Sequence, residues 1–375
     1  MGGFRMKIGI LTSSRADYGI YRPLLKLWRN DEEIEFEIIA FGQHVWKGFG
    51  NTIVDIEKDG FDIIYSINSD FENDSPNGIA MAYSNILNQF VHFWNSHKFD
   101  LVLALGDRYE MAAAVQAGIP YQIRFAHIHA GEKTLGAIDE IFRHQISLAS
   151  ELHFVSIKEY ADRIHDLIGH NKSTTVIGAI GLENLEKVKL LTPLEFKEKW
   201  NIDITLPTLF FIVHPETVNV ELNIEYANIL EKISLELGKE YQLIISLPNS
   251  DTMGDVFRTM WKNVSELCHK IKLIEHFGTQ SFFTCMKFSQ LIIGNSSSAI
   301  LEAAAFQKFA LNLGSRQKGR ITSDNIINLP FDKRDVLVNV RNYAGKIFDG
   351  KNIYKKKNGI QLIDKKIKNY IGIHG

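Results

Sequence analysis

The sequence predicts an α/β protein built from two doubly wound domains. Three observations carry this. Short apolar runs alternate with longer amphipathic stretches from one end of the chain to the other. The runs are continuous rather than alternating, the mark of strands buried on both faces in a parallel sheet covered by helices. The chain has 375 residues, 45% of them hydrophobic, and beyond roughly 250–300 residues one core gives way to separate domains.

In order along the first half, the strand candidates are MKIGIL, FEIIAFG, FDIIYSI, DLVLALG, RFAHIHA, LHFVSI and TTVIGAIG. Helical patterns separate them, such as DYGIYRPLLKLWRN at 17–30 and GIAMAYSNILNQFVHFWNSH at 78–97. The second half repeats the rhythm with LFFIVHP, YQLIISLP, IKLIEHFG, QLIIGNSS and FALNLGS. The polar, helix-prone stretch at 183–203 separates the two series. This gives an N-terminal Rossmann-like domain over 1–185, a second over 186–355, and a C-terminal helix over 356–375 packing back on the first. Two such domains place a ligand cleft between them, outside the carboxyl ends of the strands.

Composition excludes several classes. A net charge of -2 and a pI near 6.7 lack the basic stripe of a nucleic-acid surface. The lysine run KNIYKKKNG at 351–359 reads as a solvated loop. Cys268 and Cys285 are the two cysteines, with no CxxC pair, which fits a reducing compartment. The apolar run near the N-terminus is too short for a signal peptide, and no run approaches 18 apolar residues. A cytoplasmic protein without a membrane partner is expected.

Chemistry-capable residues gather just after strand candidates. MKIGIL is followed by TSSRADYG, with Arg15 and Asp17. DLVLALG is followed by Asp107 and Arg108, and LFFIVHP contains His214 near its end. After QLIIG comes NSSSAILEAAAF, where Asn295, Ser296 and Ser297 precede a helix expected from Ala299. Exposed N–H groups and small hydroxyls at a helix start suit a diphosphate, and the Glu302 carboxylate suits ribose hydroxyls. Arg316 and Arg320 in LGSRQKGR add cations for phosphate.

FAHIHAGEKTLGAIDEIFRHQ, residues 125–145, holds His127, His129, Glu132, Asp139 and His144. Two readings compete here. In a strand His127 and His129 share one face, so with Glu132 and Asp139 they form a metal set. Alternatively Asp107, His129, Glu132 and Asp139, on neighbouring strand ends, form acid–base machinery for a sugar carbon.

SSRADYG, GDRYEMAAA, HIHAGE with GAIDEIFRH, IVHPET, GNSSSAILEAAAFQ and LNLGSRQKGR occur in this order. Together they resemble the UDP-N-acetylglucosamine 2-epimerase family, in particular its hydrolysing branch feeding sialic-acid-type and legionaminic-acid-type sugar synthesis. The motifs run from residue 12 to about 320. The resemblance implies a GT-B-like pair of Rossmann-like domains, with the nucleotide on the C-terminal one and the sugar facing the N-terminal one. It implies no metal and no cofactor, and a homodimer or higher homo-oligomer. The implied reaction removes the C2 proton, expels the nucleoside diphosphate to give a 2-acetamidoglycal, and hydrates it to a free mannose-type sugar.

By the same resemblance Asp107 and Asp139 match catalytic carboxylates, Arg15 a phosphate-contacting arginine and His214 a histidine beside the diphosphate. Ser296, Ser297 and Glu302 match the nucleotide loop. His129 stands where many relatives have Glu, which leaves the sugar open between the plain hexosamine and a 2,4-diacetamido-6-deoxy sugar. The nucleobase, uracil or guanine, is equally open. The alternatives are a non-hydrolysing epimerase, a GT-B glycosyltransferase, a metal-dependent hydrolase and a nucleotide-sugar sensor.

Overall fold

A computed structural model of the protein describes residues 5–46, 52–73, 75–170, 173–218, 220–248, 253–275 and 277–374. The chain divides into two compact units. The first comprises residues 1–132, 139–184 and 354–375; the second comprises 133–138 and 185–353.

Among the described residues of the first unit, seven parallel strands form one sheet. They are β1 (Met6–Thr12), β2 (Ile34–Ala40), β3 (Ile63–Ser66), β4 (Leu101–Leu105), β5 (Phe125–Ile128), β6 (Ser150–Val155) and β7 (Thr174–Val176). Their spatial order is β3-β2-β1-β4-β5-β6-β7. Each strand sends alternate side chains to opposite faces. Ile8, Ile10, Leu101 and Leu103 therefore enter one core, while Leu11, Val102 and Ala104 enter the other.

Helices cover both faces, as the continuous apolar runs require. The helices of this unit are α1 (Arg15–Trp28), α2 (Ile53–Lys58), α3 (Pro76–Ser96), α4 (Tyr109–Gly118), α5 (Asp139–Leu148) and α6 (Lys158–Ile168). Helix α7 (Ile180–Lys187) carries the chain out of it. Local signals start α1 and α3: the Ser14 hydroxyl accepts the Asp17 N–H, and Ser75 accepts the Gly78 N–H ahead of Pro76.

Among the described residues of the second unit there are six parallel strands: β8 (Thr208–Ile212), β9 (Gln242–Ser246), β10 (Ile271–Ile274), β11 (Leu291–Gly294), β12 (Ala310–Leu313) and β13 (Ile326–Leu329). Their order is β10-β9-β8-β11-β12-β13. The helices are α8 (Pro193–Trp200), α9 (Asn223–Leu237), α10 (Gly254–Leu267), α11 (Gly278–Phe288), α12 (Ser297–Glu302) and α13 (Lys333–Tyr343). A core of Phe211, Ile245, Trp261, Ile293, Leu311 and Val336 fills one face of this sheet.

The last helix, α14 (Gly359–His374), belongs to the first unit. Ile360, Ile363 and Ile367 recur at helical spacing and share the core of Trp28 and Tyr21. The Trp28 indole donates to Asp364 at 2.8 Å, and Lys368 reaches Asp31 at 2.6 Å. Among the described residues no helix is long and apolar enough to cross a membrane.

Three local expectations are corrected. The strand read as RFAHIHA stops at Ile128, because His129 turns into left-handed backbone with φ of 63°. TTVIGAIG is a strand only over Thr174–Val176, since Gly178 turns the chain with φ of 78°. The helix expected from Ala299 begins at Ser297, and Glu302 is its last residue. Strand β13 carried no sequence signal: ITSDNIINLP is too polar to stand out, and pairing to β12 forms it.

Each sheet reverses strand order once, between β1 and β4 and between β8 and β11. Loops leaving neighbouring strands there diverge to opposite faces of the sheet, opening a crevice at the strands' carboxyl ends. Asp107 and Arg15 follow the first pair of strands; His214 and Asn295 follow the second.

Candidate active site

In the first unit the centre of the site is a residue absent from the sequence expectations, Arg143. It lies on α5, 2% exposed, four residues after Asp139 and three before the buried Ile146. One side of its guanidinium pairs with the Asp107 carboxylate. Nη1 donates to the His129 carbonyl at 3.0 Å and lies 3.7 Å from Glu132 Oε2. The planar fork of arginine suits several acceptors at once. It thereby ties the ends of β4 and β5 to the start of α5.

His129 and Glu132 meet directly, Nδ1 to Oε1 at 2.7 Å. The Ser156 hydroxyl, just after β6, donates to the same oxygen at 3.2 Å. Arg163 on α6 donates to the Gly131 and Glu132 carbonyls at 3.2 and 2.8 Å. It also pairs with Glu140 and faces His144 Nε2 at 3.0 Å. Gly131 has φ of 71°, and a Cβ there would lie 2.5 Å from the Tyr160 carbonyl oxygen. Only glycine fits a turn this close to α6.

Next to this group, Arg108 folds onto Glu110 at 3.0 Å. Glu110 and Asp17 are both buried. Burial raises both carboxyls above their ordinary range, against the opposing pull of Arg108. Asp17 also accepts from the Ser13 N–H and hydroxyl at 2.9 and 2.7 Å. Arg15 is exposed and pairs with Asp55 at 2.8 Å, not with Asp17, whose carboxylate points back to Ser13. His44 bridges Thr12 and Thr52 at 2.9 and 2.7 Å, and burial lowers its pKa to about 4.

His127 is fully buried, and both its nitrogens are committed, to the Gly106 carbonyl at 2.7 Å and to Ser147 at 2.9 Å. Burial holds its pKa well below the ordinary range. The strand ends before His129, so the shared face on which the metal reading relied does not form. Among the described residues no three His, Cys, Asp or Glu side chains converge as a metal set. Partial burial also lowers the pKa of His144, with Glu140 opposing.

In the second unit the ends of β8 and β11 are joined by Asn295, which is wholly buried. Its amide accepts the His214 N–H at 2.7 Å and donates to the His214 carbonyl at 2.8 Å. Gln317 donates to the Asn295 carbonyl at 2.9 Å, and Arg316 to the Pro215 carbonyl at 2.8 Å. Buried Glu216 accepts from the Ser315 N–H and hydroxyl at 2.5 and 2.7 Å. At Gly294 a Cβ would come within 2.0 Å of the Ile212 carbonyl oxygen. The missing side chain lets β11 approach β8 and delivers Ser296 at the N-cap of α12, accepting from the Ser298 N–H at 3.3 Å. Ser297 opens that helix, half-buried Glu302 closes it, and Arg320 is buried nearby in sequence.

Residues 26–368 match the family model for UDP-N-acetylglucosamine 2-epimerase. The chain belongs to that family.

Two relatives align over nearly the whole chain. The polysialic acid biosynthesis protein of Escherichia coli is 32% identical, covering 97% of this chain and 94% of its own. The hydrolysing UDP-N,N'-diacetylbacillosamine 2-epimerase of Legionella pneumophila is 33% identical, covering 91% and 89%. Among solved structures, the UDP-GlcNAc 2-epimerase of Neisseria meningitidis bound to UDP-GlcNAc shares the fold, with a TM-score of 0.82 at 19% identity. That match covers 97% of this chain and 100% of the other. The fold is thus the GT-B-like pair of parallel-sheet domains of this family.

Within this family member the structure brings Asp107, His129 and Glu132 together through Arg143, with Asp139 one turn earlier on α5. His214, Asn295 and Arg316 gather at the ends of β8 and β11. Arg15 and Arg108 instead engage carboxylates of their own, Asp55 and Glu110. Sequence reasoning passed over Arg143, Arg163 and Glu216. A usable signal existed for Arg143: it falls on the face of α5 that carries Ile146, where an unpaired arginine is costly.

Proposed function

We propose that this chain is a hydrolysing nucleotide-sugar 2-epimerase, acting on a UDP- or GDP-linked 2-acetamido sugar. The observation that carries the reading is the strand-end group Asp107, His129 and Glu132 around Arg143, with Asp139 at the start of the same helix. Relatives at 32–33% identity, one named as a hydrolysing 2-epimerase, support it.

The proposed chemistry needs a group to take the C2 proton and another to return one on the opposite face. Asp107, His129, Glu132 and Asp139 are assigned to this work, since it requires titratable groups in unlike environments. Asp107 is partly exposed and held by a guanidinium; Glu132 is almost wholly enclosed. As C2–H breaks, its electron pair forms the C1=C2 bond and the C1–O pair leaves with the diphosphate. Water then adds to the glycal, giving the free sugar with inverted C2.

Arg15, Arg108, His214, Asn295, Ser296, Ser297, Glu302, Arg316 and Arg320 are assigned to the nucleotide and its phosphates. Asn295 serves by positioning His214 rather than by direct contact, because its amide is spent on that backbone. A homodimer or higher homo-oligomer in the cytoplasm completes the reading; the unpaired Cys268 and Cys285 accord with a reducing compartment.

Proton NMR of chelator-treated protein in heavy water tests this, with UDP-N-acetylglucosamine and the 2,4-diacetamido-2,4,6-trideoxyglucose donors carrying UDP or GDP. The expected result is free mannose-configured sugar with deuterium at C2 and released nucleotide, from one donor in preference. A nucleotide-linked product overturns hydrolysis. Turnover only after zinc is added overturns the acid–base assignment.

A further inference from the structure

We propose that His129 and Glu132 form a dyad in which His129 Nε2 accepts the C2 proton and Glu132 is a positioning residue that fixes the ring's tautomer. The inference rests on the epimerase reading for the identity of that proton. Its structural part stands on this chain's own geometry.

An ionised carboxylate oxygen only accepts hydrogen bonds. Glu132 Oε1 lies 2.7 Å from His129 Nδ1, so Nδ1 carries the hydrogen. In the neutral ring the lone pair then resides on Nε2. That atom is buried and makes no hydrogen bond among the described residues, and His129 itself is 9% exposed. His127, two residues earlier, spends both nitrogens on Gly106 and Ser147. Asp107 has one oxygen engaged by Arg143.

The ring is held from several directions. His129 adopts left-handed backbone, with φ of 63°, a conformation that persists where neighbours over-determine it. Here Arg143 takes the His129 carbonyl, the Ala130 N–H donates to the Phe154 carbonyl at 3.3 Å, and Arg163 grips the next two carbonyls. Ser156 donates to the same Glu132 oxygen that His129 faces. Such support suits a proton acceptor, whose lone pair must meet its proton in a fixed direction. When the Nε2–H bond forms and C2–H breaks, the ring becomes an imidazolium whose charge lies against the Glu132 carboxylate. The C2–H electron pair forms C1=C2 as the C1–O pair departs with the nucleoside diphosphate.

The test is nitrogen NMR of protein carrying 15N-histidine, at mildly alkaline pH, alongside turnover and UDP affinity for the wild type and variants. The wild type is expected to show a protonated Nδ1 and an unprotonated Nε2 at His129. Glu132→Met is expected to move the proton to Nε2 and to lower kcat on the order of 100-fold, with UDP affinity kept within about threefold. Glu132→Gln, which retains an acceptor oxygen but no charge, is expected to keep Nδ1–H and to lose less activity than Glu132→Met. His129→Gln should cost as much as Glu132→Met, and the double variant no more than either. An active wild type with its proton on Nε2 overturns the dyad alone, as do additive losses in the double variant. A wild type that converts no nucleotide sugar overturns the epimerase reading and the proposed transfer with it, whatever tautomer the ring shows.

Discussion

Replacing Arg143 with methionine tests the central feature of the site. The change keeps the length and apolar stem of the side chain but removes a cation that is 2% exposed. Three acceptors lose it. The His129 carbonyl loses a charge-assisted hydrogen bond of 3.0 Å, a loss of about 1.5–3 kcal/mol. Glu132, 3% exposed, keeps His129 and Ser156 but loses a cation at 3.7 Å. Asp107 is 26% exposed, so water replaces much of what it loses. Breaking a buried ion pair typically costs about 3–5 kcal/mol, and the partial exposure of Asp107 places this case toward the lower end.

For a unit of this size each kcal/mol moves the melting temperature by about 2–4 °C, so a fall of at least roughly 6 °C is expected. Arg143→Lys should recover only part of it, because a single ammonium cannot span the three acceptors. Thermal unfolding followed by circular dichroism, with nucleotide-sugar turnover on the same samples, reads both effects. An Arg143→Met melt within about 2 °C of wild type, or an Arg143→Lys melt equal to it, would show that the guanidinium fork does not hold these three acceptors.

Other outcomes follow from particular contacts. The pKa of His44 falls to about 4 when folded, against about 6.5 unfolded. The unfolded chain then binds the extra proton, so stability is complete above about pH 6.5 and is lost as pH falls toward 4. By linkage the loss is about 2 kcal/mol at pH 5, and melts from pH 7 to 5 should be correspondingly flatter for His44→Gln than for wild type. Gly131→Ala places a Cβ 2.5 Å from the Tyr160 carbonyl at a φ of 71°; a loss of about 1–3 kcal/mol and of turnover is expected, read by denaturant titration and sugar release. Ile363→Ala removes a wholly buried side chain from the core shared with Trp28, and should cost about 2–5 kcal/mol in the same titration.

The two parallel sheets are legible in the sequence, because fully buried strands read as unbroken apolar runs, and runs such as LVLAL and TLFFI cannot be solvated. It also placed Asp107, His214 and Asn295 at strand ends, since a polar residue closing an apolar run marks where a strand leaves the core. Which of these residues meet depends on long-range packing. Asp107 and Arg143 are 36 residues apart, and the ends of β8 and β11 are joined by Asn295 and His214 81 residues apart; no local pattern encodes such distances. It also broke the strand periodicity at His129, because a left-handed turn held by Arg143 and Arg163 outweighs the strand preference of RFAHIHA. Two histidines that alternation set side by side are thereby parted: His127 pins β5 to the end of β4, and His129 turns to Glu132.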